Sequence, residues 1–413
     1  MGSGREWPDI LFVGPLPPYP TGAAIVCAQI VGGLARLGHR IRAVAPIAPG
    51  MSGAADPFAA RHPEVRVIPF AVPYVESFTH SAPKDYRTFE GQQIRERLSA
   101  LIQEARPDVI VIGREIYAWH VPDLARAHAL PTVLLSHGGP STAILNGTWP
   151  PAASRYLVEQ LRRVDLIVSV ASHWAERLRT LDLDNVAVIP NPVDLERFVP
   201  GPKDARDLAA LDIPPDAVVV LHASSLHPVK RALDLVRAAV EASPHAPQLV
   251  YVVLGGASMD RAGPTDSWAR QEMEEACRKA GLAERFRFVP WVDHDRMPGY
   301  LRLADLVVMP SAHETQSLVY LEAQACGRPL VASDIPGARE VVVDGVTGLL
   351  FRTGDVAHLA ARILLAAHDP ALRARLGQSA RAAVQVHDIE DTVAAYATTL
   401  ARVARRGAHR RRN

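Results

Sequence analysis

Two carboxylates eight residues apart carry the strongest chemical signal in this chain. Glu314 lies in the polar stretch Pro310-Ser311-Ala312-His313-Glu314, directly after the apolar run 306–309, and Glu322 follows in Leu318-Val319-Tyr320-Leu321-Glu322. The apolar run reads as a strand and the segment from Ser317 as a helix, so Glu314 falls in the loop before the helix and Glu322 within its second turn. Both can then face the crevice at the strand's carboxyl end, where open α/β sheets bind ligands. Carboxylates accept hydrogen bonds and suit sugar hydroxyls. The first amides of the helix, at Ser317 and Leu318, would direct partial positive charge at a phosphate. A single glutamate in such a place is usually a solvated helix-end charge; two sharing one crevice point to a site. A second anion-facing turn is Gly14-Pro-Leu-Pro-Pro-Tyr-Pro-Thr-Gly22, between the first apolar run and the first helical stretch. Gly22 lets the backbone approach a ligand at a helix N-terminus, or simply makes an ordinary turn. The Gly-x-Gly-x-x-Gly spacing is absent, so a dinucleotide fingerprint is not supported.

The elements that must position these groups alternate along the chain. Strands are expected at 10–13, 41–45, 65–69, 109–112, 132–135, 166–169 and 186–189, with helices between several of them, at 23–37, 88–105 and 173–181. A cluster of prolines from Pro190 to Pro215 reads as a linker, since proline disfavours both helix and central strand. The alternation restarts with strands at 217–221, 249–254, 286–289, 306–309, 330–332 and 349–351, and a helical stretch runs from 356 to 404. Strands alternating with helices imply parallel sheets. The fold class is therefore α/β, with two tandem Rossmann-like doubly wound domains facing a cleft. Expected boundaries are 1–197 for the acceptor-side domain and 198–385 for the donor-side domain. Residues 386–413 are expected to form a helix crossing back to the first domain, plus an Arg-rich tail.

Composition removes several classes. The 413 residues are 48% hydrophobic and carry a formal net charge of +1, so a real core is expected and no global basic field argues for nucleic acid. Three widely spaced cysteines, Cys27, Cys277 and Cys326, exclude a disulfide framework and a cysteine-based zinc site. No run of ~18 apolar residues or signal-type N-terminus is seen, so the cytoplasm is the expected compartment and membrane contact is not expected.

The Glu-x7-Glu pattern, with Pro310-Ser311 before it and Glu322-Ala-Gln-Ala-Cys-Gly327 after it, resembles the retaining nucleotide-sugar glycosyltransferases of family 4, which have the GT-B fold. Val188-Ile-Pro-Asn191-Pro-Val-Asp194-Leu-Glu-Arg-Phe198 is similar to that family's interdomain segment, and Pro336-Gly337-Ala-Arg-Glu340-Val-Val to its closing stretch. Gly38-His39 also fits. The resemblance implies roles. Glu314 would bind donor-sugar hydroxyls, Glu322 the ribose, and Gly22 with the amides near Ser317 and Leu318 the diphosphate. His137, in Ser136-His137-Gly138-Gly139, matches the family's active-site histidine, and Lys230 its diphosphate lysine. The base would lie by Trp291 and Val292, where Trp291 is read either as a stacking platform or as core. The acceptor would meet the polar, aromatic run Arg114, Tyr117, Trp119 and His120, or the loop with Tyr74, His80 and Tyr86; both also read as plain surface loops.

Two departures touch the donor pocket. Ser224-Ser225 stands where the family usually has Gly-Arg, with Arg231 in place of the glycine that usually follows the lysine, and Thr315-Gln316-Ser317 stands where Gly-Phe-Gly-like residues are common. Ser225 offers one neutral hydrogen bond, weaker than a charge-assisted one. Arg231 is the nearby cation that could compensate, and its other reading is a solvated first-turn residue. The expected activity is metal-independent, retaining transfer from a nucleoside diphosphate sugar to a small molecule, as in natural-product biosynthesis. No metal or other cofactor is expected, and UDP is placed before GDP. The alternatives are a catalytically silent relative that binds the nucleotide sugar, or an enzyme acting on a lipid or polysaccharide.

Overall fold

The computed structural model describes residues 7–19, 21–47, 57–71, 83–255 and 268–410. It divides the chain into two compact units, residues 1–192 with 389–413, and residues 193–388.

The first unit runs β1 (Ile10–Val13), α1 (Gly22–Arg36), β2 (Ile41–Ile47), α2 (Pro57–Arg61), β3 (Arg66–Ala71), α3 (Pro83–Glu104), β4 (Val109–Ile112), α4 (Val121–Ala127), β5 (Thr132–Ser136), α5 (Gly139–Leu145), α6 (Pro151–Arg162), β6 (Leu166–Ser169), α7 (Ser172–Arg179) and β7 (Val186–Val188). A short 3-10 helix, Glu115–Trp119, follows β4. The seven strands form one parallel sheet in the order β3-β2-β1-β4-β5-β6-β7.

The second unit contains α8 (Ala205–Ala210), β8 (Val218–Ala223), α9 (Ala232–Ala242), β9 (Leu249–Leu254), α10 (Trp268–Lys279), β10 (Phe286–Val289), α11 (Met297–Leu303), β11 (Leu306–Met309), α12 (Leu318–Ala325), β12 (Leu330–Ser333), α13 (Pro336–Arg339), β13 (Gly348–Phe351), α14 (Val356–His368) and α15 (Pro370–Ala383). Its parallel sheet has the order β10-β9-β8-β11-β12-β13. Both sheets are thus doubly wound. The order reverses between β1 and β4 in one and between β8 and β11 in the other, which places the expected ligand crevices at the carboxyl ends of those strands.

The strands are continuous apolar runs because both faces of each sheet are covered. Along β8, Val219, Leu221 and Ala223 enter one core while Val218 and Val220 enter the other. β9 splits likewise, Val250, Val252 and Leu254 against Leu249, Tyr251 and Val253.

After α15 the chain returns to the first unit as α16 (Ile389–Arg410). Val393, Tyr396, Ala397, Leu400 and Val403 are buried, a helical stripe that packs on α1, β4 and β5. The approach to α1 is close: a Cβ on Gly33 would stand 2.4 Å from Val393 Cγ2. Among the described residues no helix is long and apolar enough to cross a membrane.

Three sequence expectations change. The proline-rich stretch is not a bare linker, because Val193, Leu195 and Phe198 are buried in the second unit's core and α8 forms within it. Proline prevents regular hydrogen bonding but not burial. The units meet in sequence at 192 and 388 rather than 197 and 385. Val193 N–H donates to His387 O at 2.8 Å and Val193 pairs with Asp388, which ties both ends into the second unit. The helical stretch 356–404 is broken twice. Asp369 caps α15, accepting from Leu372 N at 2.8 Å, and the 3-10 turn Val384–His387 precedes α16.

Candidate functional site

In the second unit, the loops after β8 and β11 meet at the strands' carboxyl ends. Lys230 ends the 3-10 turn Pro228–Lys230. Its Nζ donates to both oxygens of Glu314, at 2.8 Å each. Ser311 Oγ donates to Glu314 Oε1 at 2.7 Å, and Ala312 N–H to Val229 O at 2.8 Å, joining the two loops. Glu314 is buried and Lys230 half-buried. An ammonium has three protons, so two on Glu314 leave one for an incoming oxyanion.

Gly337, the second residue of α13, lies directly under Glu314. A Cβ there would stand 2.1 Å from Glu314 O and 2.9 Å from Thr315 O. The Pro-Gly of the closing stretch is therefore a floor for the loop that carries the carboxylate.

Sequence reasoning missed His222, buried near the carboxyl end of β8. Its Nδ1 lies 2.9 Å from Val308 O and its Nε2 2.8 Å from Ser224 Oγ, which also accepts from Leu226 N at 3.1 Å. Burial, reinforced by the Lys230 charge, lowers its pKa to about 4 against the hydrogen bond to Val308. A neutral ring must then donate from Nδ1 to the carbonyl and accept the Ser224 hydroxyl proton at Nε2. Ser224 thus ties its loop to β8.

At the other end of the crevice, Glu322 on α12 is buried, and its Oε1 lies 2.6 Å from His294 Nε2. His294 rests on the Phe198 ring, centroids 5.5 Å apart. Ser317 is the N-cap of α12 and makes no side-chain cap, so the first amides stay unblocked by it. Trp291 is 50% exposed, which corrects its reading as core; Val292 packs against the core. Ser225 is exposed.

Arg231 is paired with an acid on the helix that follows it. Nε lies 2.7 Å from Asp234 Oδ2, and Nη2 is also 2.7 Å from that oxygen. Asp234 is buried and also accepts from Arg237 at 3.0 Å. Arg231 has φ +51, a left-handed conformation in which glycine is at ease and other residues are strained. That is a physical reason for the glycine that the resemblance puts after this lysine.

The first unit carries Gly22, His137 and the acceptor candidates. Gly22 is exposed at the start of α1, which Thr21 caps by accepting from Ala24 N at 3.2 Å. His137 follows β5; burial, then the Arg114 charge, lowers its pKa to about 3. Ser136 and Gly138, on either side of it, both donate to Glu115. Tyr117 and Trp119 are corrected from surface contacts to packing residues, each 2% exposed. The 3-10 helix turns them inward, Tyr117 edge-on to Phe70 at 6.5 Å and Trp119 stacked on Tyr156 at 4.8 Å. Arg114 is buried as well, and His120 is half-buried. Tyr74 and His80 lie outside the described residues, and of Tyr86 only the helical backbone is described.

Residues 204–383 match the family described as Glycosyl transferases group 1, and residues 20–197 match Glycosyltransferase Family 4. The D-inositol 3-phosphate glycosyltransferase of Xylanimonas cellulosilytica is 33% identical over 299 residues, covering 70% of this chain and 68% of that protein. The chain belongs to the family 4-type GT-B glycosyltransferases. The glycosyltransferases of the same description from Streptomyces avermitilis and Catenulispora acidiphila are 31% and 35% identical, over 71% and 60% of this chain and 62% and 58% of theirs. By fold, the glycosyltransferase is similar to Anabaena HepE in complex with UDP, with TM-score 0.75, 22% identity and coverage of 95% and 99%. It is also similar to sucrose-phosphate synthase from Thermosynechococcus elongatus, with TM-score 0.79, 21% identity and coverage of 95% and 98%.

Proposed function

We propose that this glycosyltransferase moves a sugar, with retention of configuration, from a nucleoside diphosphate sugar to a small hydroxylated acceptor. The observation that carries the reading is the contact of Lys230 with both oxygens of Glu314 at a strand-order reversal. There Lys230's third proton and the α12 amides serve the leaving diphosphate, while Glu314 and Glu322 take sugar and ribose hydroxyls. No metal is invoked. A phosphate oxygen removes the acceptor's proton on the face the donor leaves. UDP is the first nucleotide to test, in keeping with the UDP complex of Anabaena HepE. D-inositol 3-phosphate, in the name of the relatives, is the first acceptor.

A thermal-shift panel of nucleoside diphosphates tests the donor. Ligand at ~100 times its Kd adds ~2.7 kcal/mol of stability, so UDP should raise Tm by several degrees. No shift with any nucleotide would remove the donor site. Calorimetry then locates the ribose. Glu322→Ala should weaken UDP binding by ~1.5–3 kcal/mol, the value of a hydrogen bond to a charged acceptor, and an unchanged Kd would take Glu322 out of the site.

A second reading, a binding relative without turnover, is favoured by one observation. Ser225 is neutral and Arg231 is paired with Asp234, so of these three positions only Lys230 offers a cation to the diphosphate. Release of free sugar from the donor separates the two readings. Because Arg231 is paired with Asp234, Arg231→Gly should leave turnover within about threefold of wild type, far short of the ~10²–10³ lost with a transition-state donor. A larger loss would return Arg231 to the diphosphate.

A further inference from the structure

We propose that Glu115 is a positioning residue that clamps the loop carrying His137 at the carboxyl end of β5. The functional weight of this rests on the reading of His137 as the histidine beside the donor sugar; the clamp itself rests on geometry. One oxygen, Glu115 Oε1, accepts from the residues on both sides of His137: Ser136 Oγ at 2.6 Å and Gly138 N at 3.0 Å. Trp174 Nε1, from α7, donates to the same Ser136 hydroxyl at 2.9 Å. The loop is thus held from two elements, and Gly138, at φ +99, supplies the turn that α5 grows from.

Glu115 is 1% exposed, and its Oε2 has no hydrogen-bond partner among the described residues. A buried carboxylate oxygen left idle is costly. A residue serving packing alone would be better apolar. What the carboxylate supplies is two charge-assisted hydrogen bonds, which are shorter and roughly twice as strong as neutral ones. They lock one short loop and leave the rest of the 3-10 helix to its aromatic contacts.

The test reads the His137 ring by NMR in the full chain with labelled histidine, and needs no substrate. In the wild type the ring stays neutral between pH 5 and 8. Glu115→Ala frees the loop, and His137 should then titrate near the ordinary ~6.5. Loss of a negative charge alone would move the imidazole the opposite way, further down, so a rise reports the loop. Glu115→Gln keeps an oxygen acceptor in place and should leave His137 untitrated. Should Glu115→Ala not fold, Ser136→Ala removes one of the two holds and should raise the His137 pKa by at least about one unit. A folded Glu115→Ala or Ser136→Ala protein whose His137 stays neutral overturns the proposal, as does Glu115→Gln behaving like Glu115→Ala. With UDP-glucose as probe, Glu115→Ala should lower the hydrolysis kcat by about tenfold at unchanged KM, the signature of lost positioning. Failure of wild-type protein to bind UDP would sink the donor reading and leave the NMR result standing.

Discussion

Glu314→Gln is expected to lower turnover by ~10²–10³ while leaving UDP affinity within about threefold. The substitution keeps the shape and removes the charge. One oxygen becomes an amide donor, set against the Lys230 ammonium that now contacts both oxygens at 2.8 Å. In the proposed role of Glu314, the donor sugar would lose its charged acceptor. The nucleotide does not, because Glu322 is untouched and Lys230, released from Glu314, turns more fully to the phosphates. Initial rates with the donor selected by the thermal-shift panel, paired with UDP calorimetry, check both halves. Wild-type turnover would remove Glu314 from the sugar site; a large loss of UDP affinity would move it toward the nucleotide.

Gly337→Ala should be nearly as damaging without touching a ligand. The new methyl would stand 2.1 Å from the Glu314 carbonyl oxygen, and backbone cannot swing aside as a flexible side chain can. Overpacking of this kind costs ~1–3 kcal/mol. Relief requires the 314–315 backbone to move, and a shift of ~1 Å in a positioned group can cost ~10² in rate. The variant should therefore lose several degrees of Tm and about 100-fold in turnover. Gly299→Ala is the matched control: in α11, its Cβ would meet nothing closer than Asp207 Oδ2 at 3.6 Å. Equal activity in the two variants would show that Gly337 only fills space.

The fold was legible in the sequence because strands buried on both faces are apolar at every position, as Val218 to Leu221 are. Period and proline carried less. The 190–215 stretch reads as linker, yet Phe198 is wholly buried, since burial leaves no periodic trace when the backbone is irregular. The carboxylates were legible from their place after a strand. Their partners were not: Lys230 is 84 residues from Glu314, and His294 is 28 from Glu322. For His294 the signal was no more than a histidine between a strand and a helix. Tyr117 and Trp119 read as surface because aromatic residues among charged ones after a strand usually are. Tyr156, whose ring covers Trp119, comes 37 residues later. The pairing of Arg231 with Asp234 was not legible because a left-handed φ is not visible in a residue that seldom adopts one.

The return of α16 to the first unit has a consequence for how the protein is made. The second unit, residues 193–388, is one uninterrupted stretch and can close without that helix. The first unit cannot. The side of α1 around Gly33, and the parts of β4 and β5 beneath α16, stay uncovered until Val393, Tyr396 and Leu400 emerge. The second unit's sequence is therefore complete before the first unit's, and a product ending at residue 388 would carry one finished unit and one with an open apolar side, the kind of surface that aggregates or recruits chaperones.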